Sequence, residues 1–98
     1  MKKSTFDIMI HGRGVNTKKQ VNGLISTFFG LHKEDGYKIT HMPTGFGIPV
    51  KGLSYTKCKE LITRFENSDI DWSLPENELA TSGASEKSYE IYLEVLNK

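Results

Sequence analysis

Apolar and polar side chains alternate from Thr5 to Ile10, with Phe6, Ile8 and Ile10 on one side and Asp7, Met9 and His11 on the other. A period of two predicts a half-buried strand, which Gly12 and Gly14 then break. The pattern changes at Thr17. Thr17-Lys18-Lys19-Gln20 fits a capping box, and Val21, Leu24, Ile25, Phe28 and Phe29 follow at i, i+3, i+4, i+7 and i+8, so a helix ending at Gly30 is expected. Tyr37–Met42 and Phe46–Lys51 are aromatic and β-branched runs around Pro43-Thr44-Gly45. They predict a hairpin, with Pro49 marking an edge strand or bulge. Ser54 suits an N-cap, and Cys58, Leu61, Ile62 and Phe65 repeat the helical stripe until Asn67-Ser68. Ile70, Trp72 and Leu74 alternate with Asp71 and Ser73 up to Pro75, and 76–87 reads as a polar loop. Tyr89, Ile91, Leu93 and Val95 alternate with Ser88, Glu90, Tyr92 and Glu94, which predicts a closing strand. A helix remains open there, because Tyr89, Tyr92, Leu93 and Leu96 also share a helical face.

The expected order is therefore β-α-β-β-α-β-β over one domain, residues 1–98. Two β-α-β units joined by a hairpin make a ferredoxin-like α/β sandwich of the α+β class, with two helices on one face of an antiparallel sheet. That fold hosts many activities and selects none.

Size and charge narrow the field. Ninety-eight residues with 37% hydrophobic and 26% charged suit one small domain. Met1-Lys2-Lys3 leads into Ser4, Thr5 and Asp7 rather than an apolar stretch, and no apolar run nears the roughly 18 residues of a membrane span. A cytoplasmic protein is the expectation. The net charge of +1 is unevenly placed: residues 1–51 hold eight Lys/Arg against three Asp/Glu, and residues 52–98 hold five against nine. A basic N-terminal surface facing an anionic partner is one consequence, and two solvated faces are the other.

Within the expected fold, Ile10-His11-Gly12-Arg13, the stretch Ile39–Ile48 and Tyr89-Glu90-Ile91-Tyr92 resemble the acylphosphatase family. The resemblance implies hydrolysis of carboxyl-phosphates, with phosphate held by the loop after the first strand and an Arg at the start of the first helix. An Asn on the second strand would position water. Here the Arg position falls on Gln20 and the Asn position near His41. A neutral amide lacks the charged, bidentate fork that holds phosphate, so Arg13, Lys18 or Lys19 would have to replace it. A rival set of residues, Pro49-Val50-Lys51-Gly52-Leu53-Ser54 and the helix after it, looks like the C-terminal domain of ribosomal protein L7/L12 and the ClpS adaptor. That likeness implies a protein-docking module with a helix at 33–42.

Of the candidate sites, the loop His11–Lys19 stands first. As a strand-to-helix connection it would place His11, Gly12, Arg13, Gly14, Asn16, Lys18 and Lys19 around free N–H groups, a setting that suits an anion or a partner. Tyr37, Phe46, Tyr89 and Tyr92 form a second candidate, as contact residues on an open sheet face. His11, His32 and His41 match no metal-ligand spacing, Cys58 sits on an apolar stripe, and Asp69 and Asp71 share a strand face without a sugar groove. Neither a metal nor a cofactor is expected.

These features favour a non-catalytic binding protein, a regulator or inhibitor for instance of phage type, that engages a macromolecule, protein before nucleic acid. A divergent acylphosphatase and an RNA- or DNA-binding module are the alternatives. A homodimer through an open sheet edge is also compatible.

Overall fold

The computed structural model describes residues 1–12, 14–48, 50 and 52–97. Five strands come first and three helices follow: β1 (Lys2–His11), β2 (Asn16–Ile25), β3 (Phe29–Lys33), β4 (Tyr37–His41), β5 (Phe46–Ile48), α1 (Tyr55–Glu66), α2 (Glu76–Thr81) and α3 (Ala84–Leu96). The strands form one antiparallel meander in the order β1-β2-β3-β4-β5. The class is α+β.

The predicted strand at 5–10 and the helix after Ser54 are present, and the hairpin predicted over 37–51 is present with strands Tyr37–His41 and Phe46–Ile48. Ser54 Oγ accepts the Lys57 N–H at 3.2 Å, and α1 buries Cys58, Leu61, Ile62 and Phe65. The turn between β4 and β5 closes through the Gly45 N–H on the His41 carbonyl at 2.8 Å. Pro49, read as an edge or bulge marker, lies outside the described residues. The 33–42 helix implied by the docking-module likeness is absent, since Tyr37–His41 is strand.

Four expectations are corrected, and with them the β-α-β-β-α-β-β order of the ferredoxin-like sandwich. Residues 17–29 are not a helix. Asn16–Ile25 pairs with all ten residues of β1, from Lys2↔Ile25 to His11↔Asn16. The apolar residues that mimic a helical stripe are shared out instead, Leu24 packing toward the main core and Phe29 opening β3. Gly23 and β-branched Thr17, Val21 and Ile25 make a weak helix, and ten residues of ladder outweigh a stripe read locally. The expected strand at 69–74 is an irregular link. There the Trp72 indole donates to the Phe65 carbonyl at 2.8 Å, so alternation reflects anchoring to α1 and not pairing. The closing strand is α3, and the 76–87 loop contains α2. Ala84, Ile91, Tyr92 and Val95 face the core at helical spacing.

Alternation assigns the two faces of the sheet. Phe29, Leu31, Ile39 and Ile48 point toward the helices and form the core with α1, Trp72 and Val95. Gly30, His32, Lys38, Thr40 and Gly47 point the other way. The β1–β2 hairpin bends back over this second face. Its root is bonded to β3 through Leu24↔Leu31 and Ile25↔Gly30, and the Met9 N–H donates to the Gly45 carbonyl at 2.9 Å. Two glycines permit the bend. A Cβ at Gly23 would run into the Leu31 carbonyl, and one at Gly30 would meet the Phe6 ring at 2.5 Å. The strands hold most of the positive excess of the chain, and the helices most of the negative.

Candidate binding groove

Between the bent hairpin and the free face of the sheet lies a groove of about 810 Å³. Its position follows from strand parity. His32, Lys38, Thr40 and Gly47 form the floor because they alternate with core residues on β3, β4 and β5. Ile8 and Ile10 form a wall because they alternate with Asp7 and Met9 on β1. Glu34 and Asp35 bring carboxylates to the rim, where Lys19 Nζ stands 3.8 Å from Glu34 Oε1.

His32 is the most constrained polar group in the groove. Its ring is 5% exposed and meets the Phe6 ring edge-on, with centroids 5.8 Å apart. Nε2 lies 3.3 Å from Glu34 Oε2. A carboxylate only accepts, so Nε2–H donates to Glu34. Nδ1 of the same ring is buried and has no hydrogen-bond partner among the described residues. A carboxylate that orients an imidazole is half of an acid–base device, but here the second nitrogen is sealed away from the groove. The arrangement supplies recognition groups: an aliphatic wall, a hydroxyl floor at Thr40 and a rim of both charge signs.

The predicted sites are distributed differently. Residues 11–19 connect strand to strand: the Gly12 N–H donates to the Val15 carbonyl at 2.9 Å, and the Val15 N–H returns to Gly12 at 3.4 Å. The helix N-terminus expected to attract anions is not there. Lys18 and Lys19 alternate on β2, and Gly14 is exposed at the tip. Arg13 lies outside the described residues, as do the side chains of His11 and Asn16. Gln20 is exposed on β2 opposite Asp7, whereas His41 is buried at 2% exposure beneath Trp72. The structure does not bring the two together. Neutral His41 is fully bonded: Nε2–H donates to the Trp72 carbonyl at 2.7 Å, and Nδ1 accepts from the Thr44 hydroxyl at 2.9 Å. Burial, opposed by that carbonyl contact, pulls its pKa below the ordinary histidine value.

Nor do the four aromatics share an open sheet face. Tyr37 stacks on Tyr55 at 5.3 Å on the helix side, and Phe46 stands on the same side beside Trp72 and Leu79. Tyr89 and Tyr92 stack on each other along α3 at 6.3 Å. Cys58 is wholly buried, and burial raises its thiol pKa. Asp69 is held below the usual carboxylate range by a hydrogen bond from Lys87, and Asp71 by one from Ser73, so the two do not act as a pair. Among the described residues no group of three His, Cys, Asp or Glu could hold a metal, and no helix is long and apolar enough to cross a membrane.

Sequence reasoning missed Glu34, Lys38 and Thr40 as site residues and considered His32 only for metal or acid–base chemistry, not as part of a binding groove. The alternation Gly30-x-His32-x-Glu34 was the available signal, hidden because Gly30 reads as a helix stop.

Comparison with known proteins finds no relative: no family model, no curated protein and no solved structure matches this chain.

Proposed function

We propose that the chain is a non-catalytic binding protein, of regulator or inhibitor type, that engages a protein partner with the β1–β2 tip and the groove beneath it. An apolar path carries this reading. The wall formed by Ile8 and Ile10 continues on the same face of the hairpin to Val15, and Ile10 and Val15 are 41% and 61% exposed. Exposed aliphatic side chains leading into a groove suit a protein segment with its own apolar anchors. The charges around the groove support protein over nucleic acid, because Lys19 and Lys38 are interspersed with Glu34 and Asp35. A phosphate backbone calls for one sign of charge along its track.

The test is affinity capture from lysate with wild type and Ile10→Asp, followed by titration of the captured protein, purified, into both. The expected result is saturable binding to wild type and at least a roughly tenfold loss with Ile10→Asp, since burying an unpaired charge at an anchor costs more than 1.4 kcal/mol. Equal binding by both forms, or efficient turnover of benzoyl phosphate by wild type alongside no specific capture, overturns the proposal.

A further inference from the structure

The outer edge of β1 has a regular polarity that the hairpin itself establishes. Gly12 and Val15 exchange hydrogen bonds across the tip, so the even-numbered residues of β1 face β2. The Met9 N–H, which reaches Gly45, confirms that odd-numbered residues face away. The ten-residue register is unbroken, so the N–H and C=O groups of Lys3, Thr5 and Asp7 also point outward. The β4–β5 turn covers this edge only from Met9 onward, and Lys3, Thr5 and Asp7 are exposed.

These three positions are symmetric about Thr5, and the outer two carry opposite charges. We propose that the edge binds a second copy of this chain, β1 to β1, antiparallel, about a two-fold axis at Thr5. Lys3 of each copy then faces Asp7 of the other, and Thr5 faces its own symmetry mate. All the facing residues are outward-pointing, so each facing pair can exchange two N–H···O bonds. Opposite charges directly across a ladder add to the pairing, and like charges oppose it. A two-fold at Lys3 or at Asp7 would set like charges face to face, and one at Ser4 or at Phe6 would set Lys3 and Asp7 against residues without a countercharged side chain, so the two-fold at Thr5 is the register that pairs Lys3 with Asp7. A lone edge charge discourages pairing; two of opposite sign, mirrored about Thr5, favour the same strand reversed. A second partly open edge, on β2, presents Lys18, Gln20 and Asn22 beyond the short pairing with β3 and carries no carboxylate to set a register.

The experiment is the molar mass of the intact chain in solution, by light scattering and sedimentation over a concentration series. Wild type is expected to dimerise. Thr5→Pro removes an outward N–H, leaves the ladder to β2 in place, and is expected to give a folded monomer, its fold checked by circular dichroism. Lys3→Asp and Asp7→Lys should each weaken dimerisation by about tenfold or more, and the double exchange should restore it. Thr5→Cys should cross-link as a covalent dimer on mild oxidation, because Cα atoms about 5.5 Å apart admit a disulfide and Cys58 is buried. A wild type that stays monomeric throughout the series overturns the proposal, as does a dimer that persists in Thr5→Pro and in both single charge reversals.

Discussion

His41 and His32 have opposite relations to their surroundings. Both are buried strand histidines, yet His41 has each ring nitrogen satisfied and His32 has one left over. The difference lies in which face of the sheet each occupies. His41 points into the helix-covered layer, where the Trp72 carbonyl and Thr44 hydroxyl close around it, and its pKa is depressed by burial. The native state therefore resists a proton that the unfolded chain accepts near its ordinary value of about 6.5. The contribution to stability is whole above that value and is lost as pH falls from it toward the lowered native pKa. Urea midpoints of wild type and His41→Gln, measured from about pH 8 to about pH 5, should show a fall below about pH 6.5 that is smaller in the variant. Parallel curves would place the titration elsewhere. His41 is legible in the sequence as a strand residue, but its role is not, because the carbonyl that holds it comes from a residue 31 positions away.

Among the elements, α1 was the most readable, because cap, stripe and stop all agree within one segment. Its docking was not readable. Glu66, at its last turn, accepts the Phe28 N–H and the Ser26 hydroxyl, both at 2.7 Å, and so ties the β2–β3 connection to the helix. Removing that acceptor strands a part-buried N–H. Glu66→Ala should lower unfolding stability by about 1–3 kcal/mol, and Glu66→Gln, which keeps an acceptor, by clearly less. Chemical denaturation of the three forms checks this; equal losses would mean that charge, rather than the acceptor, matters. The same connection shows why the pattern of β2 reads locally as a helix. Val21, Leu24, Ile25, Phe28 and Phe29 suit one helical face, and they suit equally well two strands divided by a tie to Glu66. Only the partners decide between them.

At the scale of the whole molecule, the chain divides into a well-packed sheet–helix core and a hairpin arm attached to it at few places. β2 pairs with β3 through two residues, and Phe6 is the only buried side chain described on the arm. The arm should open below the global unfolding free energy. Amide exchange on a monomeric form such as Thr5→Pro is expected to be faster at the inward amides of Ser4, Phe6 and Ile8 than at Leu31, Ile39 and Leu61. Equal protection would show that arm and core open together. The arm roofs the groove, so its mobility would also govern entry into it.

What the sequence by itself determined is local: one capped helix, one turn-closed hairpin, one alternating strand, and the separation of positive and negative charge between the two halves of the chain. These depend on residues within a turn or a strand of one another. The tertiary structure alone decided that 16–25 is a strand, that 84–96 is a helix and that a groove exists at all. Each of these depends on a pairing or a packed face contributed by a distant segment, and a local hydrophobic period is the same whichever segment supplies it.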